Sequence, residues 1–131
     1  MNKFIWCSAH TPSAEQVEEL NSSWGMEGDL VMLKDIYPNV QTFLNNCSDS
    51  YTDMLETAKD LHDIAMKDNA VLVQPGGSPA FQYVLGKVRM TSLHMSTVLY
   101  AHSERVSTDA HGVDGIVKKT SYFKHIKFIQ V

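Results

Sequence analysis

The chain predicts a Rossmann-like α/β domain: a mainly parallel sheet flanked by helices, with C-terminal strands or a hairpin added. Three observations point to it. Short apolar runs rich in strand formers alternate with amphipathic stretches of helical period, the strongest turn signal (Gln74-Pro-Gly-Gly-Ser-Pro79) follows one such run, and residues 102–131 change to a strand-like pattern. At 131 residues, 44% hydrophobic and 20% charged, the chain has the size and composition of one globular domain, expected to span residues 1–131.

Lys3-Phe-Ile-Trp-Cys7 reads as the first strand and Ser8-Ala-His10 as the turn after it. Thr11 or Ser13 can cap the next helix, with Pro12 fitting its first position. Val17, Leu20 and Trp24 then follow at helical spacing before Gly25. Leu30-Val-Met-Leu33 is a second strand, and Val40, Phe43 and Leu44 suggest a short helix after Pro38. Ser50 opens a longer one, whose apolar side is Tyr51, Met54, Leu55, Ala58, Leu61 and Ala65. Ala70-Val-Leu-Val73 is strand three, and Phe81, Val84, Leu85 and Val88 mark the helix beyond the glycine turn. Ser96 to Ala101 is strand four, expected to end at His102-Ser-Glu-Arg105. Gly112-Val-Asp-Gly115 is then a turn, and 116–119 and 121–129 read as strands, a hairpin added to the sheet edge or to a partner.

The net charge of −4, from 11 basic and 15 acidic residues, argues against a DNA-binding surface. The charge is uneven: residues 102–131 carry a net +2 and three of the six histidines, so an anionic partner would meet the C-terminal part. Alternatively, Lys118, Lys119, Lys124 and Lys127 are a solvated strand edge that discourages edge-to-edge pairing. No apolar run reaches the roughly 18 residues of a membrane span, and the opening residues turn polar too soon for a signal peptide. A cytoplasmic protein without membrane contact is expected, with Cys7 and Cys47 as reduced thiols.

In an open parallel sheet, ligands bind beyond the carboxyl ends of the strands. The expected ends are Cys7 to His10, Lys34-Asp35, Gln74 to Ser78, and Ala101 to Arg105. Gly76 and Gly77 let backbone amides approach a ligand, and Ser78-Pro79 has the form of a helix start, so phosphate is the natural guest. The loop lacks both the P-loop and the dinucleotide fingerprint. Its plainer reading is a turn with a capping serine. At 102–105, Arg105 can clamp phosphate, His102 can donate or shuttle a proton, and Ser103 can hydrogen-bond a ribose or phosphate oxygen. The plainer reading there is a surface ion pair beside a polar strand terminus. Ser8 and His10 form a third small cluster, while Cys7 reads as a buried strand residue. Neither Cys7 with His10 nor Cys47 with His62 has the spacing of a metal site, and His62 reads as a structural histidine on its helix.

A strand ending in a Ser/His turn, a Gly-Gly-Ser-Pro loop after strand three and an Ala-His-Ser-Glu-Arg run after strand four resemble small CRISPR-associated Rossmann-fold (CARF-like) proteins. Among these are the stand-alone ring nucleases of type III CRISPR defence. The resemblance implies a homodimer holding a cyclic oligoadenylate, most simply cyclic tetra-adenylate, across its two-fold axis. It implies cleavage without cofactor or metal, by in-line attack of a ribose 2′-hydroxyl on its neighbouring phosphate. The catalytic candidates are then His102, Ser78, His10 and Arg105, with Ser8, Gly76, Gly77, Ser103 and Glu104 as further ligand contacts. Two other classes stay open: a sensor that binds a cyclic nucleotide without cutting it, and an unrelated nucleotide or phosphosugar hydrolase with the same anion loop.

Overall fold

A computed structural model of the chain describes residues 3–112 and 115–131. Its elements are β1 (Lys3–Trp6), α1 (Ala14–Ser23), β2 (Val31–Met32), α2 (Leu33–Ile36), α3 (Pro38–Asn45), α4 (Tyr51–Lys67), β3 (Ala70–Gln74), α5 (Pro79–Thr91), β4 (Thr97–His111) and β5 (Val117–Gln130). The strands form one sheet in the order β2-β1-β3-β4-β5. The first four are parallel and β5 returns antiparallel to β4. This α/β arrangement is compatible with a Rossmann-like fold.

Strand alternation divides the core in two. Ile5, Leu72 and Val98 face α4 and α5, where Ala58, Leu61, Phe81 and Leu85 close over them. Phe4, Trp6, Val71, Val73 and Leu99 face the other way, against Leu20 of α1 and Phe128 of β5. Each fully buried leucine contributes about 1.5–3 kcal/mol relative to exposure, which is why so short a sheet holds. The helices start where short polar residues satisfy free amides. Ser13 and Gln16 make a reciprocal capping box on α1, and Ser50 accepts from Asp53 N–H on α4. Gly25, at φ +72°, turns the chain out of α1, and Met26 N–H returns to Leu20 O at 3.0 Å.

Four expectations change, the first being that the strands expected at 116–119 and 121–129 run together as β5 without a break at Thr120. Ser13 caps α1, so Pro12 lies before the cap rather than at the first helical position. The second strand keeps only Val31 and Met32, because Leu33 enters the core as the first residue of α2, with its carbonyl accepting from Tyr37 N–H. Strand four does not end before His102. It continues to His111, paired with β5 as far as His111 opposite Val117. Residues 102–111 are polar yet extended because they gain a partner strand while both faces of the ribbon stay largely wet. The pairing shifts between His102 and Ser103, which leaves Ile126 without an opposite residue. Of the Gly112–Gly115 turn, Val113 and Asp114 lie outside the described residues.

A partly buried contact ties this ribbon to the body. Glu19 of α1 meets His125 Nε2 at 2.7 Å through one carboxylate oxygen, and its other oxygen accepts from Phe128 N–H at 2.6 Å and Trp24 Nε1 at 3.2 Å. Burial works to raise the Glu19 pKa, but the bonds from Phe128, His125 and Trp24 together outweigh it and hold the carboxyl below its ordinary value. No helix among the described residues is long and apolar enough to cross a membrane.

Candidate functional site

The order β2-β1-β3 means that the chain leaves β1 toward one edge and resumes at β3 on the other side. The topological switch point therefore lies between β1 and β3. A cleft of about 440 Å³ opens there, beyond the carboxyl ends of those two strands. Three segments wall it: the loop after β1, the glycine loop after β3, and α3.

The loop after β1 is pinned from within. Cys7 N–H donates to Val73 O at 2.9 Å, extending the ladder by one residue. Trp6 Nε1 donates to His10 O at 2.7 Å, and His10 N–H to Ser8 Oγ at 3.1 Å, so Ser8 and His10 fold back over the strand end. Both line the cleft. Cys7 is buried, and burial pushes its thiol up to about 12 despite the opposing bond with the Val73 backbone. It is a wall residue, held in its unreactive form. Cys47, on the facing wall, is also a free thiol, its Sγ donating to Ser48 O at 3.4 Å.

The loop after β3 meets the N-terminus of α5. Ser78 is the N-cap and accepts from Phe81 N–H at 3.3 Å, while Pro79 takes the first helical position. Gly77 has a φ of +118°, which only glycine adopts without strain, and a Cβ there would lie 3.3 Å from Gln82 Nε2. A Cβ on Gly76 would meet nothing. The amides of 76–78 and the positive end of α5 therefore border the cleft, the arrangement that suits an anion.

Ser8, His10, Gly76, Gly77 and Ser78 thus come together, as expected from strand ends. His102, Ser103, Glu104 and Arg105 do not join them. They lie exposed on the ribbon, outside the cleft, where Arg105 Nη2 donates to Ser121 Oγ at 3.2 Å. His62 is a structural histidine, buried with its Nδ1 2.9 Å from Ser96 Oγ.

Sequence reasoning missed the carboxamides. Gln41, Asn45, Gln74 and Gln82 all line the cleft, with Gln16 at its mouth. Gln74 ends a strand that is otherwise apolar and is 2% exposed, as is Gln41. The signal was present: a glutamine ending the buried run Ala70–Val73 has no reason to be polar unless it faces a site. Among the described lining residues no lysine or arginine appears, and His10 is the one imidazole.

Fold and cleft together define an α/β protein with a ligand cleft at the switch point of a mainly parallel sheet. The chain belongs to the uncharacterized protein MJ1673 family, whose model matches residues 2–129. Neither a curated protein nor a solved structure matches it.

Proposed function

We propose that this cleft binds a phosphate-bearing ribonucleotide, in its sharpest form a cyclic oligoadenylate such as cyclic tetra-adenylate, and cleaves it as a CARF-like ring nuclease. The observation that carries the reading is one coincidence: the glycine loop, the α5 N-terminus, two serines and a histidine converge at the switch point of the sheet. A volume of about 440 Å³ is near the small end of the roughly 300–1,000 Å³ typical of ligand pockets, so it encloses only part of a four-nucleotide ring. A two-fold ring would then lie across two copies, each offering one cleft.

In this reading the amides of 76–78 and the Ser78 end of α5 hold a phosphate. The ribose 2′-oxygen attacks that phosphorus in line, the bond to the 5′-oxygen breaks, and a linear product with a 2′,3′-cyclic phosphate results. The 2′-hydroxyl gives up its proton and the leaving 5′-oxygen takes one. His10 is the lining group suited to move either proton, since an imidazole ring can both accept and donate one. Ser8 is placed to orient the ribose. His102 and Arg105 act only if a second copy brings its ribbon to this cleft.

The test is incubation with cyclic oligoadenylates of several ring sizes in EDTA, with products followed by chromatography. Linear products support the ring nuclease, and retention of intact ring supports a sensor. If the ring is neither held nor cut, the reading falls and an unrelated nucleotide or phosphosugar enzyme is the better account.

A further inference from the structure

The floor of the cleft carries polar atoms that the fold does not use. Among the described residues, Gln74 Nε2, Gln82 Oε1 and Gln41 Oε1 are each shut away from solvent without a hydrogen-bond partner. An unmet buried amide group costs about 1–3 kcal/mol, so three around one cleft are a reason to look for a guest.

The orientation of two of these amides is dictated by the backbone. Gln82 Nε2 lies 3.3 Å from Gly76 O and 3.1 Å from Gln74 Oε1. A carbonyl only accepts, so Gln82 must turn its nitrogen toward Gly76. Its remaining oxygen is then an acceptor. The Gln82 nitrogen also fixes Gln74, which must offer its oxygen to it and keeps its own nitrogen as a free donor. The two linked side chains therefore present one donor and one acceptor, and no charge, beside the loop proposed to hold phosphate. Gln41 is hydrogen-bonded to Asn45 Oδ1 at 2.8 Å, with no backbone group to fix which way the pair points.

We infer that Gln74 and Gln82 read the amino-bearing edge of a nucleobase, with the Gln82 oxygen accepting from an exocyclic amine and the Gln74 nitrogen donating to the adjacent ring nitrogen. Adenine offers this pair of groups, and carboxamides are its usual partners in base recognition. The site is concave, neutral and next to an anion-suited helix end, so a base and its phosphate can be held together. The inference rests on the proposed nucleotide reading for its phosphate, but not for its base, which allows the two to fail separately.

The probes are adenosine, purine riboside (the same nucleoside without the amine) and cyclic tetra-adenylate, with binding followed through the side-chain amide resonances of the wild-type protein. Adenosine should shift the Gln74 and Gln82 resonances and bind about tenfold more tightly than purine riboside, the scale of one base-edge contact. Gln82→Leu should reduce that ratio toward one while the chain stays folded by circular dichroism, whereas Gln74→Leu, which removes the donor to a ring nitrogen that both nucleosides carry, should weaken both alike and leave the ratio near its wild-type value. The ratio within each variant is the readout, so an overall loss of affinity from a disturbed loop does not mimic it. If adenosine and purine riboside bind alike, or neither moves these amides, the carboxamides hold only water and the inference is wrong. A preference for adenosine with no tighter binding of cyclic tetra-adenylate supports base reading and overturns the anion reading. Tight binding of the ring with an unchanged nucleoside ratio in Gln82→Leu does the reverse.

Discussion

The cleft and the β4–β5 ribbon are opposite solutions to placing polar groups. The cleft gathers residues from the ends of β1 and β3, from α3 and from α5, and leaves some of their polar atoms buried without partners. The ribbon is local. Its strands are neighbours in sequence, Glu104 faces Lys124 and Asp109 faces Lys119 in register, and Thr108 and Thr120 hydroxyls meet at 2.9 Å. Most polar groups on the ribbon satisfy one another or water, as cross-strand pairs do, the exception being His125 at its base, which meets Glu19 through Nε2 and keeps Nδ1 buried without a partner. Those in the cleft wait for something else. Chemical residue type alone would have favoured the ribbon, with its histidine, arginine and lysines; burial without partners favours the cleft.

The largest effect separating the two regions is expected at Cys7. Raising a thiol from 9.0 to about 12 lowers its thiolate fraction near neutrality by roughly a thousandfold. Iodoacetamide should therefore label Cys7 in the native protein about a thousandfold more slowly than in the urea-unfolded chain, as read by mass spectrometry of the peptide. Fast native labelling would show that the wall of the cleft opens freely and that its buried amides are not held in place.

Next comes the glycine pair. Gly77→Val puts a branched side chain at a positive φ and against Gln82, so it should lower stability by about 1–3 kcal/mol. Binding of cyclic tetra-adenylate should fall by about tenfold or more, the loss of one charge-assisted contact. Gly76→Val meets open space and should unfold at the wild-type temperature while still weakening the ligand. Equal melting temperatures for both variants would mean that the loop is not held as described.

Much of this was legible. Strand and helix alternation predicts the sheet, Ser50 and Ser78 mark helix starts, and the pattern of apolar runs puts the Ser8/His10 and Gly76–Ser78 segments at strand ends. What stayed hidden depended on partners remote in sequence. The end of β4 was misjudged because polarity at His102–Arg105 looks like the end of a buried strand, when it is the point where the strand leaves the body and pairs with β5 alone. Gln41 and Gln74 were passed over because a glutamine is ordinary on a surface. Only the sheet order, which puts β1 beside β3, turns their positions into a site.

Acid should act at the seam between the two regions. The Glu19 carboxyl is held below its ordinary 4.5 in the folded chain, so the unfolded chain binds that proton more tightly. Its contribution to stability is complete above the unfolded pKa and is lost as pH falls through the lower, folded one. The urea midpoint should drop as pH falls below the unfolded carboxyl value, and Glu19→Gln should flatten that part of the curve. At neutral pH, Glu19→Ala should cost about 1–3 kcal/mol, because Phe128 N–H loses its acceptor in a half-buried place. An unchanged acid limb in Glu19→Gln would mean that the ribbon does not depend on this contact.

The smallest expected effects fall on the ribbon itself. His102 and Arg105 are exposed and lie outside the cleft, and Arg105 reaches only Ser121 across the hairpin. A side chain so placed contributes little to stability, so His102→Ala and Arg105→Ala should each change it by no more than about 0.5 kcal/mol. If one chain holds its ligand alone, both should also bind cyclic tetra-adenylate within about twofold of wild type, since removing a distant surface charge mainly alters screened, long-range attraction. A two-stranded ribbon standing in water is only marginally stable by itself, however, and a second copy that covers it would carry these residues toward a neighbouring cleft. Sedimentation at increasing protein concentration, run beside the binding titration, separates the cases. Monomers with unaffected binding place the whole site in the cleft of one chain, whereas a dimer in which Arg105→Ala loses tenfold or more makes the ribbon the missing cation of its partner's site.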